Sequence, residues 1–216
     1  MNKNISKIHL DLLDKKRQAL LQKLIPNLTD FVLSGGTALA LQLGHRKSFD
    51  FDFFSSSPIP SNLLNKFSPT IELKNIVIDT RDELTFITTD NIKVTFLYYP
   101  FKPHSKPIRL ANSLSIFPVK EIGLQKSYTI GRRGEYRDYF DLYFILKSDY
   151  ASLNKLIRQA KKVYKGMFDE KLFLEQLVYF GDMLNFEVIP FSKTQLPKPE
   201  QIKSYFENLV KTYLAQ

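Results

Sequence analysis

Between Phe49 and Phe54 the chain reads Phe-Asp-Phe-Asp-Phe-Phe, and that alternation constrains the fold more than any other stretch. A strand sends successive side chains to opposite faces, so Phe49, Phe51 and Phe53 share one face and Asp50 and Asp52 share the other. The rings call for a packed layer behind the strand. The paired carboxylates repel one another unless a cation or solvent relieves them. A solvent-facing edge strand with its acids outward fits the same pattern, so both readings stand at this point.

A second feature lies upstream. Phe31-Val32-Leu33 reads as a short apolar strand that runs into Ser34-Gly35-Gly36-Thr37, and Thr37 to Gly44 reads as a short helix ended by Gly44. Glycine lets the backbone approach a ligand closely. A helix start offers free N–H groups and the positive end of the dipole, which suits a phosphate. A Gly-Gly turn alone can be no more than a turn. Beside two carboxylates it implies more, because magnesium takes one or two carboxylates plus phosphate oxygens and water. The pair of features points to a site where magnesium and a phosphate group could meet.

The remaining chain can support such a site. Its 216 residues, 44% hydrophobic and 13% aromatic, suffice for one large domain or two small ones. The absence of cysteine excludes disulfides, thiolate metal sites and cysteine nucleophiles, and fits a cytoplasmic setting. Met1 to Asp11 shows no apolar signal-peptide core, and no run reaches the roughly 18 apolar residues of a membrane helix. A net charge of +9 favours polyanionic partners, although a solvated basic surface gives the same number.

Organisation changes near residue 117. Before it, a helix is expected over about 5–25 and a short one over 63–67, with strands at 71–79, 83–89, 91–98 and 108–117. After it, helices are expected at about 118–130, 137–148, 151–166, 169–184 and 199–214. The fold class is therefore α+β, with a mixed-sheet domain over 1–117 and a helical domain over 118–216 that completes a shared cleft. The scattered His9, His45 and His104 suggest no metal site.

Gly35-Gly36, thirteen intervening residues and Asp50-Phe51-Asp52 resemble the signature of the DNA-polymerase-β-like nucleotidyltransferases. The continuous stretch from Leu33 to Phe54 is similar to the AbiEii/AbiGii-type toxins within them, and so is Lys126 followed by Arg132 and Arg137-Asp138-Tyr139-Phe140-Asp141-Leu142. The resemblance covers roughly residues 30–145. It implies a nucleotidyltransferase fold and transfer of a nucleotide from an NTP to an acceptor hydroxyl, with RNA, and tRNA in particular, as the acceptor. It also implies a toxin with a cognate antitoxin. Ser34, Gly35, Gly36 and Thr37 would hold the triphosphate, with Arg46 as a further phosphate ligand. Asp50 and Asp52 would bind Mg2+. Lys126 would neutralise a phosphate, and Asp138 would act as a base or position the acceptor. Asp141 could instead pair with a buried arginine, and Arg137 and Asp141 are spaced for a surface ion pair.

One position departs from the pattern. Many members of the superfamily carry a third carboxylate on a later strand, and Thr95 stands at that place. That departure keeps a second reading open, a non-catalytic nucleotide or RNA binder, beside a third in which a protein or small molecule is the acceptor. The helical half adds a partner clue. Residues 118–165 hold 11 Lys+Arg against 5 Asp+Glu, and Lys155, Arg158, Lys161, Lys162 and Lys165 recur at helical spacing opposite an apolar face. Such a stripe is either a solvated face or a track for an RNA backbone.

Overall fold

Phe96 is the hub of an aromatic cluster that orders the first half of the chain. Phe53 and Phe67 stack on it with ring centroids 5.2 and 5.1 Å away, and Phe31 meets it edge-on at 4.9 Å. The computed structural model describes residues 8–191 and 195–216. The chain separates into two units. One runs to Lys102 and resumes over Lys106–Pro118, and the other takes in Pro103–Ser105 and Val119–Gln216.

The first unit is built on a seven-stranded mixed sheet. Its strands are β1 (Val32–Ser34), β2 (Phe51–Ser55), β3 (Leu73–Asp79), β4 (Glu83–Thr88), β5 (Lys93–Tyr98), β6 (Ile108–Arg109) and β7 (Ser115–Ile116), in the spatial order β3-β4-β5-β2-β1-β7-β6. Three helices accompany them: α1 (Lys15–Leu24), α2 (Gly35–Leu43) and α3 (Leu63–Phe67). β2 pairs antiparallel with β1 and parallel with β5, which makes it the central strand and removes the edge-strand reading. Phe51 and Phe53 are fully buried on its rear face, while Asp52 and Phe54 on its front are half-buried. Register pairs residues of like face. Phe53 opposite Phe96 therefore obliges Asp52 to lie opposite Thr95 on the other side of the sheet.

Three expectations need correction here. Phe49 precedes β2 and is 38% exposed. Its carbonyl accepts a 2.9 Å bond from Arg17 Nε, and the same guanidinium covers its ring. The helix expected over 5–25 is a 3-10 turn at Leu10–Leu12 followed by α1, because Asp14 caps the Arg17 N–H and starts a new helix; residues 5–7 lie outside the described residues. The strand expected over 108–117 folds back on itself as β6 and β7. It turns where the Ser113 N–H bonds the Leu110 carbonyl and Ser113 takes φ 68.

The second unit is helical: α4 (Val119–Thr129), α5 (Tyr136–Lys147), α6 (Leu153–Tyr164), α7 (Glu170–Val178) and α8 (Pro199–Leu214). α7 begins with Asp169 capping the Leu172 N–H and ends at Val178, short of the expected residue 184, because Tyr179 turns to an extended conformation. α6 buries Leu153, Leu156, Ile157, Ala160 and Tyr164 and leaves Lys155, Arg158, Lys161 and Lys162 exposed, with Lys165 just beyond its end. None of the described helices is long and apolar enough to cross a membrane.

Glu121, on the first turn of α4, is fully buried. One carboxylate oxygen accepts the Ser105 N–H at 2.8 Å, and Oε1 has no hydrogen-bond partner among the described residues. Burial pushes its carboxyl above the ordinary 4.5, opposed in part by the Ser105 and His104 amides. With the folded value above the unfolded one, the native state binds the extra proton, and stability falls as pH rises through that interval. Glu121→Gln should therefore raise Tm at pH 7–8 and lose its advantage near pH 4. Thermal melts across that range check the sign.

Candidate active site

The Gly-Gly corner and the acidic strand meet. Ser34, the last residue of β1, pairs directly with Asp52, and Gly35 turns the chain at φ +65 into α2. A side chain at Gly35 would run into the Asp52 carboxylate, and one at Gly36 would run into the Arg46 guanidinium and Ser48 Oγ. Both glycines are thus required by close approach, with an acid against one and a cation against the other. The first N–H groups of α2, as at any helix start, have no partner inside the helix, and they belong to this corner.

Thr37 fastens the two elements together. Its Oγ1 lies 2.9 Å from Ser48 Oγ and donates to the Asp50 carbonyl. Thr37 is buried, so its hydroxyl serves this tie, while Asp50, just ahead of β2, stays half-exposed. Arg46 is buried too, and its Nη1 donates to the Lys47 carbonyl at 2.9 Å. Gly35→Ala would combine a left-handed backbone with a clash against Asp52, at about 2 kcal/mol. A fall in Tm of roughly 5 °C is expected for a chain of this size.

A row of oxygen-bearing side chains crosses the front of β2, β5 and β4. Asp52 stands opposite Thr95, and Thr95 opposite Thr85 on β4. Thr85 Oγ1 lies 3.1 Å from Thr95 Oγ1 and donates to Glu83 Oε1 at 2.6 Å. Sequence reasoning passed over Thr85 and Glu83. Their spacing of two on β4 is a visible signal, but its meaning depends on a strand register that no local pattern specifies.

The second unit holds a separate polar centre. Lys126, on α4, is buried with its Nζ 2.5 Å from Asp138 Oδ1 and 2.7 Å from Asp141 Oδ2, both on α5. Arg133 Nε reaches Asp138 Oδ2 at 2.7 Å, so one carboxylate serves two cations. Burial pushes the Asp138 carboxyl up, and the Lys126 and Arg133 charges outweigh that and hold it below the ordinary 3.8. A carboxylate held in this way is a poor base and a good anchor. Asp141 pairs with the buried Lys126, where the sequence alone suggested an arginine, and Arg137 turns to Glu135 at 3.3 Å.

Arg133 was missed in the sequence, where its neighbour Arg132 drew attention. Arg132 lies over the Tyr128 ring at 3.8 Å and donates to the Tyr128 and Met167 carbonyls. Arg133 keeps 56% of its side chain exposed while bound to Asp138. On the outer face of α6, a depression of about 560 Å3 is lined by Asn154, Ile157, Arg158, Lys161, Lys162 and Tyr213. Within it Lys161 pairs with Glu170, which also accepts the Tyr213 hydroxyl. Among the described residues no group of three or more His, Asp or Glu side chains is arranged to hold a metal ion.

Comparison with known proteins places this geometry in context. The family model described as "Nucleotidyl transferase AbiEii toxin, Type IV TA system" matches residues 19–208. A protein of unassigned function from Aquifex aeolicus, aq_aa25, is 32% identical over 211 residues, covering 94% of this chain and 98% of its own. A crystal structure of a candidate nucleotidyltransferase from H. pylori superposes with a TM-score of 0.55 at 22% identity, covering 94% of this chain and 98% of that one. That likeness supports a shared fold.

Proposed function

Because this chain belongs to the AbiEii family of nucleotidyl transferase toxins of type IV toxin–antitoxin systems, we propose that it moves a nucleotidyl group from an NTP to an acceptor hydroxyl on RNA, with tRNA the first candidate. The observation that carries this reading is the Asp52 carboxylate closed against Gly35 at the start of α2. The corner brings a helix start, whose N–H groups suit a phosphate, beside the Asp52 carboxylate.

The donor set fits Mg2+. Asp50 and Asp52 supply two carboxylate oxygens with no nitrogen or sulfur competitor, and substrate phosphates and water complete such a shell. Held by Asp50 and Asp52, Mg2+ would supply positive charge to offset that of the phosphates. The chain's own residues do the rest. Ser34, Gly35, Gly36 and Thr37 orient the triphosphate, and Arg46, tucked against Gly36, adds positive charge near it. In the helical domain over 118–216, Asp138 is a positioning carboxylate held by Lys126 and Arg133. Lys155, Arg158, Lys161, Lys162 and Lys165 form the track for the RNA backbone.

Its family is one of toxins opposed by an antitoxin, and the cytoplasm is the setting we propose for it. A second reading, an NTP or RNA binder without catalysis, draws on Thr95 standing beside Asp52 where a third acid would strengthen metal binding. Incubation with each labelled NTP, Mg2+ and total RNA separates the two. Label in RNA supports transfer, label in protein moves the acceptor class, and NTP binding with no label anywhere leaves the binder.

A further inference from the structure

The hydroxyl of Thr95 has a direction that its neighbours impose. A carboxylate only accepts hydrogen bonds, and a threonine hydroxyl has one proton to give. Thr85 gives its proton to Glu83 Oε1 at 2.6 Å. Its 3.1 Å contact with Thr95 Oγ1 is then completed by the Thr95 proton. Thr95 is left presenting lone pairs, on a half-buried side chain directly opposite Asp52 on the front of the sheet. Thr85 is buried and Glu83 half-buried, so the chain of donors leads from the Asp52 face to a carboxylate at the surface.

We propose that Thr95, Thr85 and Glu83 form a proton relay that receives the proton of the acceptor hydroxyl during nucleotidyl transfer, an inference that rests on the transferase reading above. The acceptor O–H proton passes to Thr95 Oγ1, the Thr95 proton to Thr85 Oγ1, and the Thr85 proton to Glu83 Oε1. The acceptor oxygen forms its bond to the α-phosphorus as the bond to pyrophosphate breaks, and that electron pair leaves with pyrophosphate. Glu83 ends as a carboxylic acid and returns its proton to solvent. Asp138 leaves this work undone, since its carboxyl is held below the ordinary range between two cations. Thr95 is the catalytic residue of the relay. Glu83 and Thr85 act through it as positioning residues.

The test measures label transfer from NTP to total RNA, and separately the binding of labelled NTP, for the parent, Glu83→Gln, Thr85→Val and the double variant Glu83→Gln/Thr95→Asp. Glu83→Gln keeps an oxygen for Thr85 to bond and loses the capacity to take a proton. It and Thr85→Val should each lower turnover about a hundredfold at unchanged NTP affinity. The double variant places a carboxylate beside Asp52 and should recover to within a few-fold of the parent. Transfer by Glu83→Gln within twofold of the parent overturns the relay, and so does a loss that Thr95→Asp leaves unrescued, which would mark a structural role. A parent that binds NTP and labels nothing overturns the transferase reading itself, and the relay falls with it.

Discussion

Asp52→Asn should lower nucleotidyl transfer roughly a thousandfold, equivalent to about 4 kcal/mol of transition-state stabilisation. The reason is position. Asp52 sits on the central strand of the sheet, opposite Ser34, with its carboxylate against the Gly35 corner. The asparagine is close in shape, so the corner and the sheet register survive. What would be lost is one negative charge of the proposed divalent-cation site. Tm should stay within about 2 °C of the parent, since exposed or half-exposed changes of this kind act weakly on stability. Steady-state label transfer, read beside a thermal melt, separates a lost charge from a lost fold. Turnover within tenfold of the parent would remove Asp52 from the metal site.

Lys126→Met should act in the opposite way, on stability first. The Lys126 ammonium lies between Asp138 and Asp141, and all three side chains are buried. Removing a cation from such a site strands buried negative charge, which typically costs about 3–5 kcal/mol. Tm should fall by roughly 10 °C. Lys126→Met/Asp141→Leu removes the stranded charge along with its partner and should regain much of that loss. pH supplies an independent check. Because its two cations hold the Asp138 carboxyl below its ordinary value, its contribution is full above the unfolded pKa and fades as pH falls through the folded one. Without Lys126 the stranded carboxylates take up protons more readily in the folded state, so the variant's deficit against the parent should narrow as pH falls. A drop in Tm under 2 °C would show that the network carries little of the unit's stability.

The two halves of the chain differ in how openly their sequence states their structure. Alternation in β2 and the apolar run of β5 follow from a period of two, and the buried Phe51, Phe53, Val94 and Phe96 sit where that period puts them. Phe49 shares the period but lies ahead of the strand, where an arginine ring contact substitutes for core burial. Lys126 was harder to read. Its neighbours Gln125 and Ser127 are polar, which suggests a solvated helix face, yet α4 is buried around most of its circumference. Burial of a polar face depends on surrounding helices and leaves no trace in a local pattern. Arg133 and the Glu83–Thr85–Thr95 chain share this difficulty, since each gains its role through a partner on another element.

The central claim is that the Asp50/Asp52 pair and the Gly35 corner hold an NTP jointly through a divalent cation. Titration of a fluorescent NTP analogue with and without Mg2+, on the parent and on Asp50→Ala/Asp52→Ala, measures this directly. The account predicts tight binding by the parent that weakens at least tenfold when Mg2+ is chelated, and weak, Mg2+-insensitive binding by the double variant. Equal, Mg2+-dependent binding by both proteins would contradict it.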